Sequence, residues 1–190
     1  MNYEDYRPDV VAAQFKACTL EKTRLPWIMY RTKAIILSRH RYEAVERVTG
    51  TPWWAIGCIH QLESGGRFDC HLLNGDPLSG RTTHAPLGRP TSPPLGGALP
   101  YTWEESATDA LKNYPPQPLV WDIGHALIYF EAYNGFGYRR HLCPSPYVWG
   151  FTSVCGPGKY VADGSFNPLA VSDQAGCGAL LKQLIAWGIV

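Results

Sequence analysis

The chain has 190 residues, a formal net charge of +1, 45% hydrophobic residues and 17% charged residues. That balance supplies a packed core, excludes wholesale disorder, and, with no long basic run, argues against nucleic acid as a partner. The longest apolar runs, such as Ala34-Ile35-Ile36-Leu37, are far too short to cross a bilayer, so no stable membrane insertion is expected.

In chain order, residues 7–47 read as helices. Pro8 suits a first helical turn, and Val10, Val11, Gln14 and Phe15 keep helical spacing. Leu25-Pro26-Trp27 interrupts the pattern, which resumes over residues 28–48 as an amphipathic helix rich in Arg, Lys and Glu. In Thr49-Gly50-Thr51-Pro52, Gly50 suits a C-cap, Thr51 an N-cap and Pro52 the first position of the next helix. That helix carries Trp53, Trp54, Ala55, Ile56, Cys58, Ile59 and Leu62 and is expected to be central and buried, ending at Ser64-Gly65-Gly66. Residues 67–100 are rich in Gly, Pro and Thr. Asn74-Gly75 is a turn signal and Arg81-Thr82-Thr83-His84 has strand character, so a small β-hairpin followed by a long loop is expected. Thr102 with Glu105 matches a capping box, Pro115-Pro116-Gln117-Pro118 reads as a linker, and residues 120–133 and 172–189 read as the last two helices. The fold class is therefore α+β and mostly helical, with a small β-hairpin beside a central buried helix. The division expected is residues 1–48 as N-terminal helices packing on a main domain of 49–190.

Met1-Asn2-Tyr3-Glu4-Asp5 has neither the basic start nor the apolar stretch of a secretion signal, which implies synthesis in the cytoplasm. The six cysteines contain no C-x-x-C pair, so no zinc site is expected and buried reduced thiols are the default; Cys58 with Cys70 is the first pair to test for a bridge. His60, His84, His125 and His141 fit no zinc-protease spacing, and Gly156-Pro157-Gly158-Lys159 lacks the full phosphate-loop pattern. No metal or organic cofactor is implied. Arg139-Arg140-His141 reads either as a patch for an anionic polymer or as a solvated helix end.

Glu63 carries the chemistry. It stands at the C-terminal end of the apolar helix, on the face of Ile56, Ile59 and His60. Desolvation and the negative end of the helix dipole both favour its protonated form, the form that donates to a glycosidic oxygen. The plain alternative is a helix-end carboxylate in solvent. Asp76 is the candidate second carboxylate, with Asp69 as competitor and a simple turn before Pro77 as the alternative role. Thr82 or Thr83 could hold a water. The 7 Trp and 11 Tyr give a surplus of rings that suits either sugar stacking or an ordinary core. Tyr147, Trp149 and Tyr160 lie in a Pro/Gly-rich stretch where either role is open.

Two motifs together carry a resemblance. The run from Thr49-Gly50-Thr51-Pro52 to Ile59-His60-Gln61-Leu62-Glu63-Ser64-Gly65-Gly66 resembles the opening of soluble lytic transglycosylases and goose-type lysozymes, where a Gly-x-Pro start leads to a helix ending in Glu-Ser. Glu131-Ala132-Tyr133-Asn134-Gly135-Phe136-Gly137-Tyr138 resembles their Ala-Tyr-Asn-x-Gly motif, about seventy residues on. Asp76 and Thr82 resemble the Asp-to-Thr spacing of phage-type lysozymes, although the gap of thirteen from Glu63 is longer than theirs. Asn74 to Leu78, Pro86 to Pro90, Ser145 to Trp149 and Gly158 to Gly164 resemble phage and prophage lysozyme-like proteins. The likeness covers roughly residues 40–187. It implies a lysozyme-like fold and a monomeric endolysin with no cofactor, cleaving peptidoglycan, with Glu63 as acid and Asp76 and Thr82 assisting. Tyr133, Asn134, Tyr138, Tyr147 and Trp149 would hold the sugar. A lytic transglycosylase, a chitinase-like hydrolase and a non-enzymatic wall- or tail-associated module are the alternatives. A phage or prophage origin would follow, with release from the host cytoplasm to the wall through a membrane pore.

Overall fold

A computed structural model describes residues 1–113, 115–162 and 164–190. They form a mostly helical α+β fold with one two-stranded antiparallel sheet. The chain makes two compact units: residues 1–33 with 118–190, and residues 34–117 inserted between those segments. This is not the division at residue 48 that the sequence suggested. The Pro115-Pro116-Gln117-Pro118 run does fall at the second crossing, while the first lies inside the helix α2 (Leu25–Leu37).

The discontinuous unit begins with a 3-10 turn (Tyr3–Tyr6) and α1 (Pro8–Ala17), which has Pro in its first turn as its sequence required. From the far end of the chain come α6 (Ile123–Asn134), the short α7 (Pro146–Trp149) and α8 (Cys177–Ala186). α1 packs on α6 so closely that a Cβ at Gly124 would strike the Pro8 carbonyl. That contact is why the first helix belongs with the C-terminal half. α6 is capped by Asp122, whose carboxylate accepts from the His125 amide at 2.9 Å. Its core residues Ala126, Leu127, Ile128, Tyr129 and Phe130 are all at most 1% exposed.

The inserted unit holds α3 (Arg39–Thr49), α4 (Trp53–Ser64) and α5 (Trp103–Asn113), with α3 packed on both others. The expected single helix over 28–48 is broken at Ser38 into α2 and α3. Gly50 ends α3 with φ 78°, a left-handed conformation that glycine adopts without penalty. Thr51 does not cap α4; the flanking residue is Pro52, and the fully buried Thr51 makes no cap bond. α4 is buried as expected from Ala55 to Gln61. The capping box at α5 forms in both directions: Thr102 N–H donates to Glu105 Oε2 at 2.6 Å and Glu105 N–H to Thr102 Oγ1 at 3.2 Å.

The hairpin is not where the sequence suggested. Among the described residues of 67–102 there is one isolated bridge, Cys70 to Pro77, and no strand. Six prolines there lack the donor a ladder needs, and side chains take up amides that a strand would pair. The sheet lies instead in the other unit, with β1 (Lys159–Ala162) against β2 (Ser165–Asn167), Tyr160 opposite Phe166.

Candidate active site

The end of α4 is a sharp stop. Gly65 and Gly66 both take left-handed angles, φ 66° and 78°, and the Gly66 amide donates to the His60 carbonyl at 3.1 Å. A Cβ at Gly66 would also strike the Gln61 side-chain amide. The turn therefore needs glycine for its dihedral and for its space. Glu63 sits half-buried on the last turn before it, between half-buried Leu62 and Ser64.

His60, one turn earlier, is fully buried and is structural. A carbonyl can only accept, so Nε2 donates to the Arg67 carbonyl at 2.8 Å, and Nδ1 then accepts from Tyr42 Oη at 3.0 Å. Burial pulls its pKa down to about 4, and the nearby Arg41 adds to this, although the Arg67 carbonyl opposes it. The ring packs 4.5 Å from Trp103 and 4.6 Å from Phe68, and the Arg41 guanidinium covers Phe68 at 3.9 Å. Glu63 thus follows a stiff aromatic cluster that is neutral at its centre and shared by α3, α4 and α5.

Asp76 is buried in the loop beyond. Its Oδ2 accepts from the amides of Thr83 at 2.7 Å and His84 at 2.9 Å, from Thr83 Oγ1 at 3.3 Å and from Asn74 Nδ2 at 3.2 Å. Oδ1 accepts from His84 Nδ1 at 2.6 Å. The His84 amide, then the His84 ring, hold this carboxyl far below the usual carboxylate range; burial opposes them and the Thr83 amide helps. A carboxylate offers about four lone-pair positions, so five donors leave little capacity to orient a water. Thr82 is 3% exposed and its hydroxyl is committed, donating to the Pro86 carbonyl at 2.5 Å and accepting from the Arg89 amide at 2.9 Å. Arg89 in turn pairs with Asp109 of α5 at 2.8 Å. His71 ties the same loop to α5 through Ser106 Oγ at 2.8 Å and donates to the Gly80 carbonyl. Asp76 and Thr82 are brought together as the framework of this loop. Asp69 is exposed and lies 4.0 Å from Arg67.

The second motif belongs to the other unit. Tyr133 is half-buried and Asn134 exposed at the end of α6. A 3-10 turn (Phe136–His141) follows, and here a cavity of about 350 Å³ is lined by Asn134, Tyr138, Tyr160, Ala162 and the backbone of three glycines. Tyr138 is buried, and its Oη accepts from the Tyr160 amide at 3.3 Å. Tyr160 stands edge-on to it with centroids 5.1 Å apart, and Tyr160 Oη meets His141 Nε2 at 3.1 Å. His141 stacks flat on Phe166 at 3.7 Å. The β1–β2 hairpin thus forms one wall, a role the sequence reading missed. The Asp163-Gly164 dipeptide after an aromatic, β-branched run was the available signal. Trp149 is only 6% exposed and lines a different cavity, with Tyr6, Glu131 and Arg139; Tyr147 is half-buried and lines neither.

Among the described residues no disulfide forms, and Cys58 and Cys70 are separate thiols. Burial pushes the Cys58 thiol well up and Cys155 up to about 11, which keeps both protonated and unreactive near neutrality. Among the described residues, no group of three or more His, Cys, Asp or Glu side chains is placed to hold a metal ion, and no helix is long and apolar enough to cross a membrane. No known protein family, curated protein or solved structure matches the chain.

Proposed function

We propose that this chain is a peptidoglycan-degrading endolysin of the muramidase type, with a lysozyme-like fold. It cuts the β-1,4 bond between N-acetylmuramic acid and N-acetylglucosamine. The observation that carries this reading is the setting of Glu63: a half-buried carboxyl on the last turn of a buried helix, just before a turn built for glycine. A general acid of this class is a carboxyl kept partly out of water yet open enough to reach a leaving oxygen. Glu63 gives its proton to the glycosidic oxygen as the C1–O bond breaks. The electron pair stays with the leaving sugar, and water adds to the oxocarbenium-like C1 as it returns a proton to the Glu63 carboxylate. The Asp76 carboxylate supplies standing negative charge in its loop, with Thr82 fixing that loop's path. Asn134 and Tyr138, in the tyrosine-walled cavity with Tyr160, supply sugar contacts; Tyr133 of the same motif, and Tyr147 and Trp149 of the later Pro/Gly-rich stretch, are the remaining sugar-binding candidates.

One observation favours a second reading, a lytic transglycosylase. Asp76 already accepts five hydrogen bonds, which suits a scheme with a single working acid. There the muramic 6-hydroxyl attacks C1, loses its proton to the Glu63 carboxylate, and leaves a 1,6-anhydro end. Mass spectrometry of digested wall separates the two, because only the second gives products lighter by one water.

The deciding experiment is clearance of permeabilised cells by the wild type beside Glu63→Gln. The expected result is a loss of about a thousandfold or more in rate with unchanged thermal stability. A variant that clears at the wild-type rate sinks the enzymatic reading and leaves a sugar-binding module. Faster turnover on chitin oligomers than on peptidoglycan would move the substrate to chitin.

A further inference from the structure

One surface of the discontinuous unit lies outside everything assigned above. At the start of α2, Trp27 and Tyr30 are 44% and 64% exposed, with ring centroids 6.1 Å apart and planes tilted by 30°. Adjacent exposed rings make a contiguous apolar patch, the kind of surface feature that marks a binding site. They flank a groove of about 620 Å³ whose other lining includes Thr23, Arg24, Phe151 and Asp173. The floor is rigidly set. Phe151 is 3% exposed and held at φ 63°, its carbonyl accepting from the Glu21 amide at 3.0 Å, while Leu20 bridges Thr152. The Arg24 guanidinium lies over the Phe151 ring at 4.9 Å, and Arg31 covers Trp27 at 4.6 Å. Asp173 faces Lys159 at 3.5 Å, so its charge is partly offset and its oxygens can accept hydroxyl protons.

We infer that this groove is a second glycan-binding site, which takes an acidic N-acetylhexosamine strand of the wall and holds the enzyme on its polymer. The inference rests on the peptidoglycan reading. Three features select this occupant. Adjacent exposed rings match the apolar C–H faces of successive pyranoses, whose hydroxyl edges then meet Thr23 and Asp173. Residues 21–33 carry Lys22, Arg24, Arg31 and Lys33 against the single carboxylate Glu21, a balance complementary to the lactyl and peptide carboxylates of a muramic strand. The site is also a groove of ligand-pocket volume with a carboxylate in its wall, whereas a surface made for anionic lipid would lie flat and exclude that carboxylate.

The test uses the full chain with Glu63→Gln, so that binding is read without cutting, and purified wall sacculi freed of protein and teichoic acid. Trp27→Ala with Tyr30→Ala is added on that background. Both side chains are exposed, so helical content and melting temperature are expected to stay put. Sedimentation with sacculi is expected to weaken by about tenfold or more, the usual outcome of removing two aromatic anchors. Arg24→Ala is expected to weaken it less, and to make the remainder less sensitive to salt. Retention within twofold of the parent, or no retention by the parent itself, overturns the inference. So does a double variant that loses binding to anionic phospholipid vesicles while keeping the sacculi, which would make the face a membrane contact. Failure of the muramidase reading would appear separately, as absent clearance by the wild type.

Discussion

His60 shows how one buried side chain sets the pH limits of the inserted unit. Its folded pKa, near 4, lies below the ordinary imidazole value of about 6.5. Above pH 6.5 the ring is neutral folded or unfolded, and its packing contribution is intact. As the pH falls from there, the unfolded chain takes up a proton that the folded chain refuses until about 4, so stability drains away across that window. The offset corresponds to about 3 kcal/mol by pH 4. Urea midpoints at pH 7, 5.5 and 4 are expected to fall accordingly, and His60→Gln to flatten the slope; an unchanged slope would remove His60 from this role. Asp76 works in a lower range. Its depressed pKa means that its contribution is complete above the ordinary aspartate value of about 3.9 and is lost progressively as the pH falls below it. Asp76→Asn keeps the shape but removes the charge that the Thr83 and His84 amides point at. Faster hydrogen exchange at those two amides is expected at pH 6, with exchange in α4 unaffected.

At the level of elements, the sequence was most legible where a local rule needs few partners. The Pro8 start of α1, the glycine cap at residue 50 and the Thr102–Glu105 box are all decided within one turn of chain. Thr102→Ala is expected to lower stability by about 1 kcal/mol, read as a drop in melting temperature. The hairpin was misplaced because Asn74-Gly75 signals a turn whatever follows it. The pairing that would make it a hairpin was pre-empted by Asp76 and Thr82, which capture amides across the loop. Gly57 is a case that no local rule reveals. By helix propensity alone, alanine there should stabilise α4. In the fold, a Cβ at residue 57 would run into the fully buried Ile35 and press on the Tyr42 ring. Gly57→Ala is therefore expected to destabilise by about 1–3 kcal/mol, measured by chemical unfolding; a stabilised variant would mean that Ile35 has room to move.

Taken whole, the molecule carries a long exposed stretch of loop between Thr91 and Pro100, where almost every residue is exposed and Leu95 stands 85% in solvent. Limited proteolysis is expected to nick there first, with α4 and α5 intact in the products, and a first cut inside either helix would contradict the packing described. Sequence by itself determined the mostly helical class, the buried α4, the stop at Gly65-Gly66 and the choice of Glu63 as the residue to explain. Periodicity, caps and apolar runs act through neighbours three or four residues away, so they can be read along the chain. Tertiary structure alone decided that α1 belongs with α6, that Thr82 and Asp76 spend their hydrogen bonds on their own loop, and that the sheet lies at Lys159–Asn167. Each of those turns on which donor meets which acceptor, or which glycine admits which backbone, across tens of residues of chain. Such pairings are settled by competition among all the partners in space, and no window of sequence contains that competition.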